Sequence, residues 1–214
     1  MECISKIEIR GKVKRIEVKR KNNTTLANMT VMTEVLYNID GQPRAENTFH
    51  TVEAWENTQV KDLTKIQVGS WVRVMGRYKT KKFEKDGKTQ YYMMIYTDYL
   101  KKLPDNTTEY VNKVEITGIV TKIDINIIRN KTVGKLTVAT DYVYRSKGEK
   151  VVETTHHLVE GTDSPKIKDL AKISPGTMVK VTGRYRKIAW TDKNTGEKRS
   201  MWQILAEQIK KIAE

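Results

Sequence analysis

Ile7, Ile9, Gly11 and Val13 alternate with Glu8, Arg10, Lys12 and Lys14. A period of two predicts a strand with one face buried and the other wet. The same reading predicts a second strand over residues 26–37, a turn at Asn38-Ile39-Asp40-Gly41 and a third strand over 46–55. Val60, Leu63 and Ile66 then recur on one face, which predicts a helix of roughly two to three turns closed by Gly69. Val72, Val74, Gly76 and Tyr78 share one face of a fourth strand, and Lys85-Asp86-Gly87-Lys88 turns the chain into a fifth.

The whole pattern then returns. Residues 7–83 align with 114–190 at a constant offset of 107 without a gap, and 28 of the 77 positions are identical. Gly76-Arg77-Tyr78 comes back as Gly183-Arg184-Tyr185, and Lys61-Asp62-Leu63 as Lys168-Asp169-Leu170. A repeat this long means two whole domains, not units of a solenoid. In the second copy Ser146-Lys147-Gly148 supplies the turn, and Asp163-Ser164-Pro165 supplies a cap and a first-turn proline for a helix carrying Ile167, Leu170, Ala171 and Ile173. The loop Lys193-Asn194-Thr195-Gly196 is longer by two residues, an insertion that a turn tolerates. The polar, proline-containing stretch after Leu103 predicts a linker over 104–111 between domains 1–103 and 112–214. Strand, strand, strand, helix, strand, strand is the order of the five-stranded OB barrel. The expected fold is therefore all-β with one short helix per domain: two tandem OB barrels. Glycines inside strands one and four suit the tight bends of a small barrel.

Charge narrows the function. The chain carries 40 basic and 26 acidic side chains, a net +14. Each half carries +7, so the excess belongs to the module and is not a single basic tail. Such a domain attracts polyanions, nucleic acid first. No apolar run is long enough to span a membrane, and the first residues lack a signal-peptide pattern, so the cytoplasm is the expected location. The lone Cys3 fits a reducing compartment and reads as a small residue at a strand start.

Strand four holds the most direct chemistry. Opposite its apolar face lie Arg73, Met75, Arg77, Lys79, Lys81 and Phe83; in copy two these are Lys180, Thr182, Arg184, Arg186, Ile188 and Trp190. Cations ending in an aromatic suit single-stranded nucleic acid, because cations track phosphates while a ring stacks on an unpaired base. The competing reading is a solvated edge strand guarded by lysines. Tyr37 and Tyr144 end strand two, and Phe49 and Trp55 share a face of strand three. Tyr78, Tyr185 and Trp71 read as core.

Copy two resembles the bacterial single-stranded DNA-binding protein family over nearly its whole length. The resemblance is carried by Asn112-Lys113-Val114 with Gly118, by Leu136-Thr137-Val138-Ala139-Thr140, and by Thr155-His156-His157-Leu158-Val159. It is most specific in the run from Gly176 to Arg184 and in Trp190-Thr191-Asp192-Lys193; copy one matches more weakly in the same register. The resemblance implies an OB fold, sequence-tolerant binding of single-stranded DNA and a four-barrel assembly, reached here by a homodimer of two-barrel chains. It implies base stacking at four positions: Tyr37 and Tyr144, Phe49 and His156, Trp55 and Thr162, Phe83 and Trp190. Copy one keeps four rings while copy two keeps two and a histidine, so copy one is expected to be the better stacking platform. Family members usually end in a glycine-rich stretch with an acidic tip that recruits other enzymes. This sequence ends Ile209-Lys210-Lys211-Ile212-Ala213-Glu214, so the resemblance does not carry tail-mediated recruitment over.

An enzyme is not expected. His50 and His157 are equivalent across the repeat and read as satisfied core histidines; His156 and His157 point to opposite faces and have no cysteine or carboxylate cluster with them. No phosphate-binding glycine loop or nucleophile elbow is present, so neither a cofactor nor a metal is expected. Two other classes stay open from sequence: an RNA-binding or chaperone module, and an assembly subunit of a replication or conjugation complex with little DNA affinity of its own.

Overall fold

The computed structural model describes residues 3–21, 23–85, 87–128, 130–167, 170–193 and 195–212; the side chains of residues 83, 85 and 88–91 are outside that description. Among the described residues are ten strands, five per copy. They are β1 (Ile4–Lys21), β2 (Thr24–Ile39), β3 (Gln42–Trp55), β4 (Trp71–Lys85) and β5 (Lys88–Lys102), then β6 (Val111–Ile128), β7 (Lys131–Ser146), β8 (Glu149–Thr162), β9 (Met178–Thr191) and β10 (Lys198–Lys211). The chain divides into two compact units, with one made of residues 6–112.

In the first unit β1 pairs with β2, β2 with β3, β5 with β4 and β4 with β1, all antiparallel. A short parallel contact, Val52 opposite Ile95 and Glu53 opposite Tyr96, joins β3 to β5 and closes the ring. The second unit repeats this with β6 to β10, closed by Ile204 opposite Val159. These are two tandem five-stranded OB barrels, as the element order predicts. Closure brings strands into close approach at the in-strand glycines. A Cβ on Gly11 would stand 2.1 Å from the Met32 carbonyl oxygen, and one on Gly76 2.1 Å from that of Tyr96. Gly118 and Gly183 meet the same obstacle at 2.2 Å in barrel two.

Among the described residues the predicted helix is absent. In its place each copy makes a single 3-10 turn, Leu63–Lys65 and Leu170–Lys172. Asp62 takes a left-handed conformation (φ 57°) and Asn57 Oδ1 accepts from the amides of Gln59 and Val60, so the backbone before the turn is committed to other bonds. Ser164 Oγ likewise accepts from Ile167 N, at 3.2 Å, in a tight turn around Pro165. Val60, Leu63 and Ile66, and Ile167, Leu170 and Ile173, are buried as their pattern implies, but Ala171, placed with them by the helical pattern, is exposed because a single 3-10 turn does not turn it inward. Lys168, Asp169, Asp86 and Asn194, which the sequence assigns to the helix and the hairpin loops, lie outside the described residues.

The β2–β3 and β7–β8 hairpins run longer than predicted and close through Asp40-Gly41 (φ 50° and 78°) and Lys147-Gly148 (φ 51° and 86°). Two consecutive positive φ values match the twist of paired strands, and glycine meets the second at little strain. Residues 104–111 lie against barrel one. Arg10 Nη1 donates to Glu109 Oε2 at 2.6 Å, and the Tyr110 ring packs 4.6 Å from the buried Trp71.

Each core contains the same polar thread. His50 is fully buried; its Nε2 meets Thr33 Oγ1 at 3.0 Å and its Nδ1 meets Tyr78 Oη at 2.7 Å. Thr140, His157 and Tyr185 repeat the arrangement. Burial pushes both imidazoles from 6.5 down to about 3, so they are neutral and each ring nitrogen has a partner. These are core histidines, as the sequence implies.

Candidate nucleic-acid interface

Residues directly opposite each other in a ladder share a face. Register therefore builds the outer surface of barrel one residue by residue. Phe49 faces Met32 and Trp55 faces Leu26 across β2–β3; Glu53 faces Tyr96 across β3–β5. Arg77 faces Tyr96, Lys79 faces Met94 and Lys81 faces Tyr92 across β4–β5. Phe49, Thr51, Glu53, Trp55, Tyr92, Tyr96, Arg77, Lys79 and Lys81 thus lie on one continuous outer face. Phe49 is half exposed, and Trp55 and Tyr96 are half buried. Arg77 sits over the Tyr96 ring, 4.8 Å from its centroid, and Lys79 Nζ lies 5.9 Å from it. Tyr92 and Tyr96 were missed from sequence because the fifth strand was not assigned faces. Their spacing with Met94 carries a period-two signal.

Barrel two builds the same face from other side chains. His156 and Glu160 on β8 lie with Arg184, Arg186, Ile188 and Trp190 on β9 and with Met201, Gln203 and Leu205 on β10. Trp190 and His156 are exposed. Where barrel one has Tyr92, Tyr96 and Lys81, barrel two has Met201, Leu205 and Ile188. A groove of about 470 Å³ runs here between Leu158, Ile188 and Met201, with Lys122, Lys135 and Glu160 among its walls.

Two of the stacking candidates lie apart from this face, and the side chain of a third is not described. Tyr37 faces Arg44, and Tyr144 faces Val151, which puts both on the pleat opposite to Phe49 and His156. They project from the hairpin ribbons beyond the barrels, where Tyr144 donates to Glu153 Oε1 at 3.2 Å and lies 5.7 Å from the Tyr142 ring. Exposed Tyr142 is a third aromatic that sequence reading missed, two residues from Tyr144 along the same pleat. The backbone of Phe83 pairs with Gln90, but its side chain lies outside the described residues.

The cations are not a bare row. Arg73 Nε donates to Glu8 at 2.8 Å, Arg77 meets Asp98 at 3.5 Å and Lys81 meets Glu53 at 2.5 Å. In barrel two Lys180 meets Glu115 and Arg186 meets Glu160, each at 3.0 Å. Arg73 stands where β4 pairs with β1, at the far end of β4 from Lys81, and Lys180 stands where β9 pairs with β6, at the far end of β9 from Ile188. Burial raises the Asp98 carboxyl above its ordinary range, with Arg77 opposing it. Among the described residues no group of three or more His, Cys, Asp or Glu could hold a metal ion, and no helix is long and apolar enough to cross a membrane.

A closed OB barrel with rings and cations sharing its outer face defines a class of proteins that engage unpaired nucleic acid. The sequence pattern of the Single-strand binding protein family matches residues 4–103 and again 111–212, so this chain belongs to that family, as a member with two OB folds. Among curated proteins no sequence matches. Two similar solved structures are of the single-stranded DNA binding protein from Thermus aquaticus. A deletion mutant gives a TM-score of 0.75 and the wild type 0.74, both at 15% identity and over 100% of this chain; they are covered to 96% and 95%. At that identity the likeness is one of fold. A complex of Plasmodium falciparum SSB with ssDNA matches 50% of the chain, with 96% of its own length covered, at 21% identity and a TM-score of 0.42.

Proposed function

We propose that this protein binds and coats single-stranded DNA without sequence preference during replication, recombination or repair, and that it is not an enzyme. The observation that carries this reading is the outer face of barrel one, where Phe49, Trp55, Tyr92 and Tyr96 share a surface with Arg77, Lys79 and Lys81. Bases stack on Phe49, Trp55, Phe83 and Tyr37 in barrel one and on Trp190, His156 and Tyr144 in barrel two. Phosphates run near Arg73, Arg77, Lys79 and Lys81, and near Lys180, Arg184 and Arg186. Residues 1–103 and 112–214 act as two domains joined through 104–111. Linking them raises the effective concentration of the second site once the first is filled. Two chains pair to give four barrels, and the protein works in the cytoplasm.

The test is a titration with a thymidine oligomer read by tryptophan fluorescence, with duplex as control and a matched RNA oligomer as competitor. Single strands quench Trp55 and Trp190, and duplex does not. The log–log salt slope is about −0.7 per phosphate contacted. Absence of quenching, or a flat salt response, overturns the reading; preference for RNA overturns the DNA assignment.

A further inference from the structure

A polyanion-binding face has little use for a carboxylate at its centre, yet both barrels keep one. Glu53 and Glu160 are equivalent across the repeat and sit where the third strand meets the fifth in parallel. The Glu53 side chain is only 9% exposed. One oxygen meets Lys81 Nζ at 2.5 Å, and the other accepts from Trp55 Nε1 at 3.3 Å. Glu160 accepts from Arg186 Nη2 at 3.0 Å. That guanidinium also donates to Gln203, with the amide oxygen turned toward it, at 2.6 and 2.9 Å.

The partners are not equivalent. Arg186 corresponds to Lys79, and Lys81 corresponds to Ile188. The acid is constant while its cation moves by two positions along the strand. An incidental surface ion pair would show no such persistence, because exposed pairs add little stability.

We propose that Glu53 and Glu160 are positioning residues that neutralise the central cation of each face, so that phosphates are kept off the middle and it is left to bases. In barrel one the same carboxylate also holds the Trp55 ring. Lys81 and Arg186 are then braces for the stacking surface and not phosphate contacts, which refines their part in the proposed function. The inference rests on single-strand binding itself.

The experiment measures thymidine-oligomer affinity across a salt series for the full chain. In Glu53→Gln the freed Lys81 takes a phosphate: binding tightens at low salt, and the log–log slope steepens by about 0.7. Lys81→Met alone leaves the slope as in wild type, and Lys81→Met added to Glu53→Gln restores it. The pair Glu160→Gln and Arg186→Met repeats the cycle in barrel two, so a folding defect in one barrel leaves the other readable. An unchanged slope in Glu53→Gln and Glu160→Gln overturns the proposal, as does a slope flattened by about 0.7 in Lys81→Met alone. Wild-type chain that fails to bind brings down the underlying reading as well, and is told apart by that control.

Discussion

The two barrels agree inside and differ outside. Their cores share a Thr–His–Tyr thread atom for atom in kind, and their strands close in the same order. On the outer face, barrel one offers Phe49, Trp55, Tyr92 and Tyr96 where barrel two offers His156, Thr162, Met201 and Leu205. Core positions answer to packing and to hydrogen bonds that burial makes expensive to lose. Outer positions carry no such packing constraint, and it is there that the two copies differ.

The largest expected effect tests the shared interior. His50 and His157 hold protons at about pH 3 when folded and near 6.5 when unfolded. Between those values the unfolded chain binds more protons, so stability is full above pH 6.5 and falls as the medium is acidified. Each barrel loses about 1.4 kcal/mol per pH unit, on the order of 5 kcal/mol over the whole span. Urea melts between pH 7.5 and 5 read this above the range where carboxylates titrate. Acid sensitivity confined to one barrel would break the symmetry.

Next comes the outer difference. Phe49→Ala and Trp55→Ala each weaken binding of a thymidine oligomer by about 1–3 kcal/mol, or roughly 5- to 150-fold. His156→Ala weakens it less. Equal losses would mean that barrel two stacks as well as barrel one. Phe83→Ala against Trp190→Ala is the sharper version, because both positions are aromatic; the larger loss is expected in Phe83→Ala, measured by the same titration.

The smallest effect comes from converting one barrel toward the other. Tyr96→Leu installs the barrel-two residue and removes the ring beneath Arg77 and Lys79. A cation over a ring at a part-exposed site contributes about 0.5–1 kcal/mol. Affinity should fall by less than tenfold while the melting temperature moves little.

Strand order, the two-domain repeat and the core histidines were legible in the sequence because period-two alternation and a gapless repeat record packing directly. The helix was not. Leu63 and Ile66 are three apart, a spacing shared by 3-10 and α-helical turns, and the left-handed Asp62 that decides between them leaves no hydrophobic signature. The row of strand-four cations was legible as residues but not as charge. Glu8, Asp98 and Glu53, which pair with Arg73, Arg77 and Lys81, come from three other strands, and only register brings them together. Register also set Tyr37 and Tyr144 on the reverse pleat, an assignment that depends on parity across a long hairpin.

Tyr110 lies eight residues past β5, yet its ring roofs Trp71 at the start of β4, and Glu109 grips Arg10 on β1. The first barrel is therefore unfinished when its last strand has been made. A chain leaving the ribosome needs the following segment before that indole is sheltered, so the capping piece arrives just as β6 begins at Val111. Synthesis order alone would let the first half complete its seal before its near-copy exists to compete for the same strands.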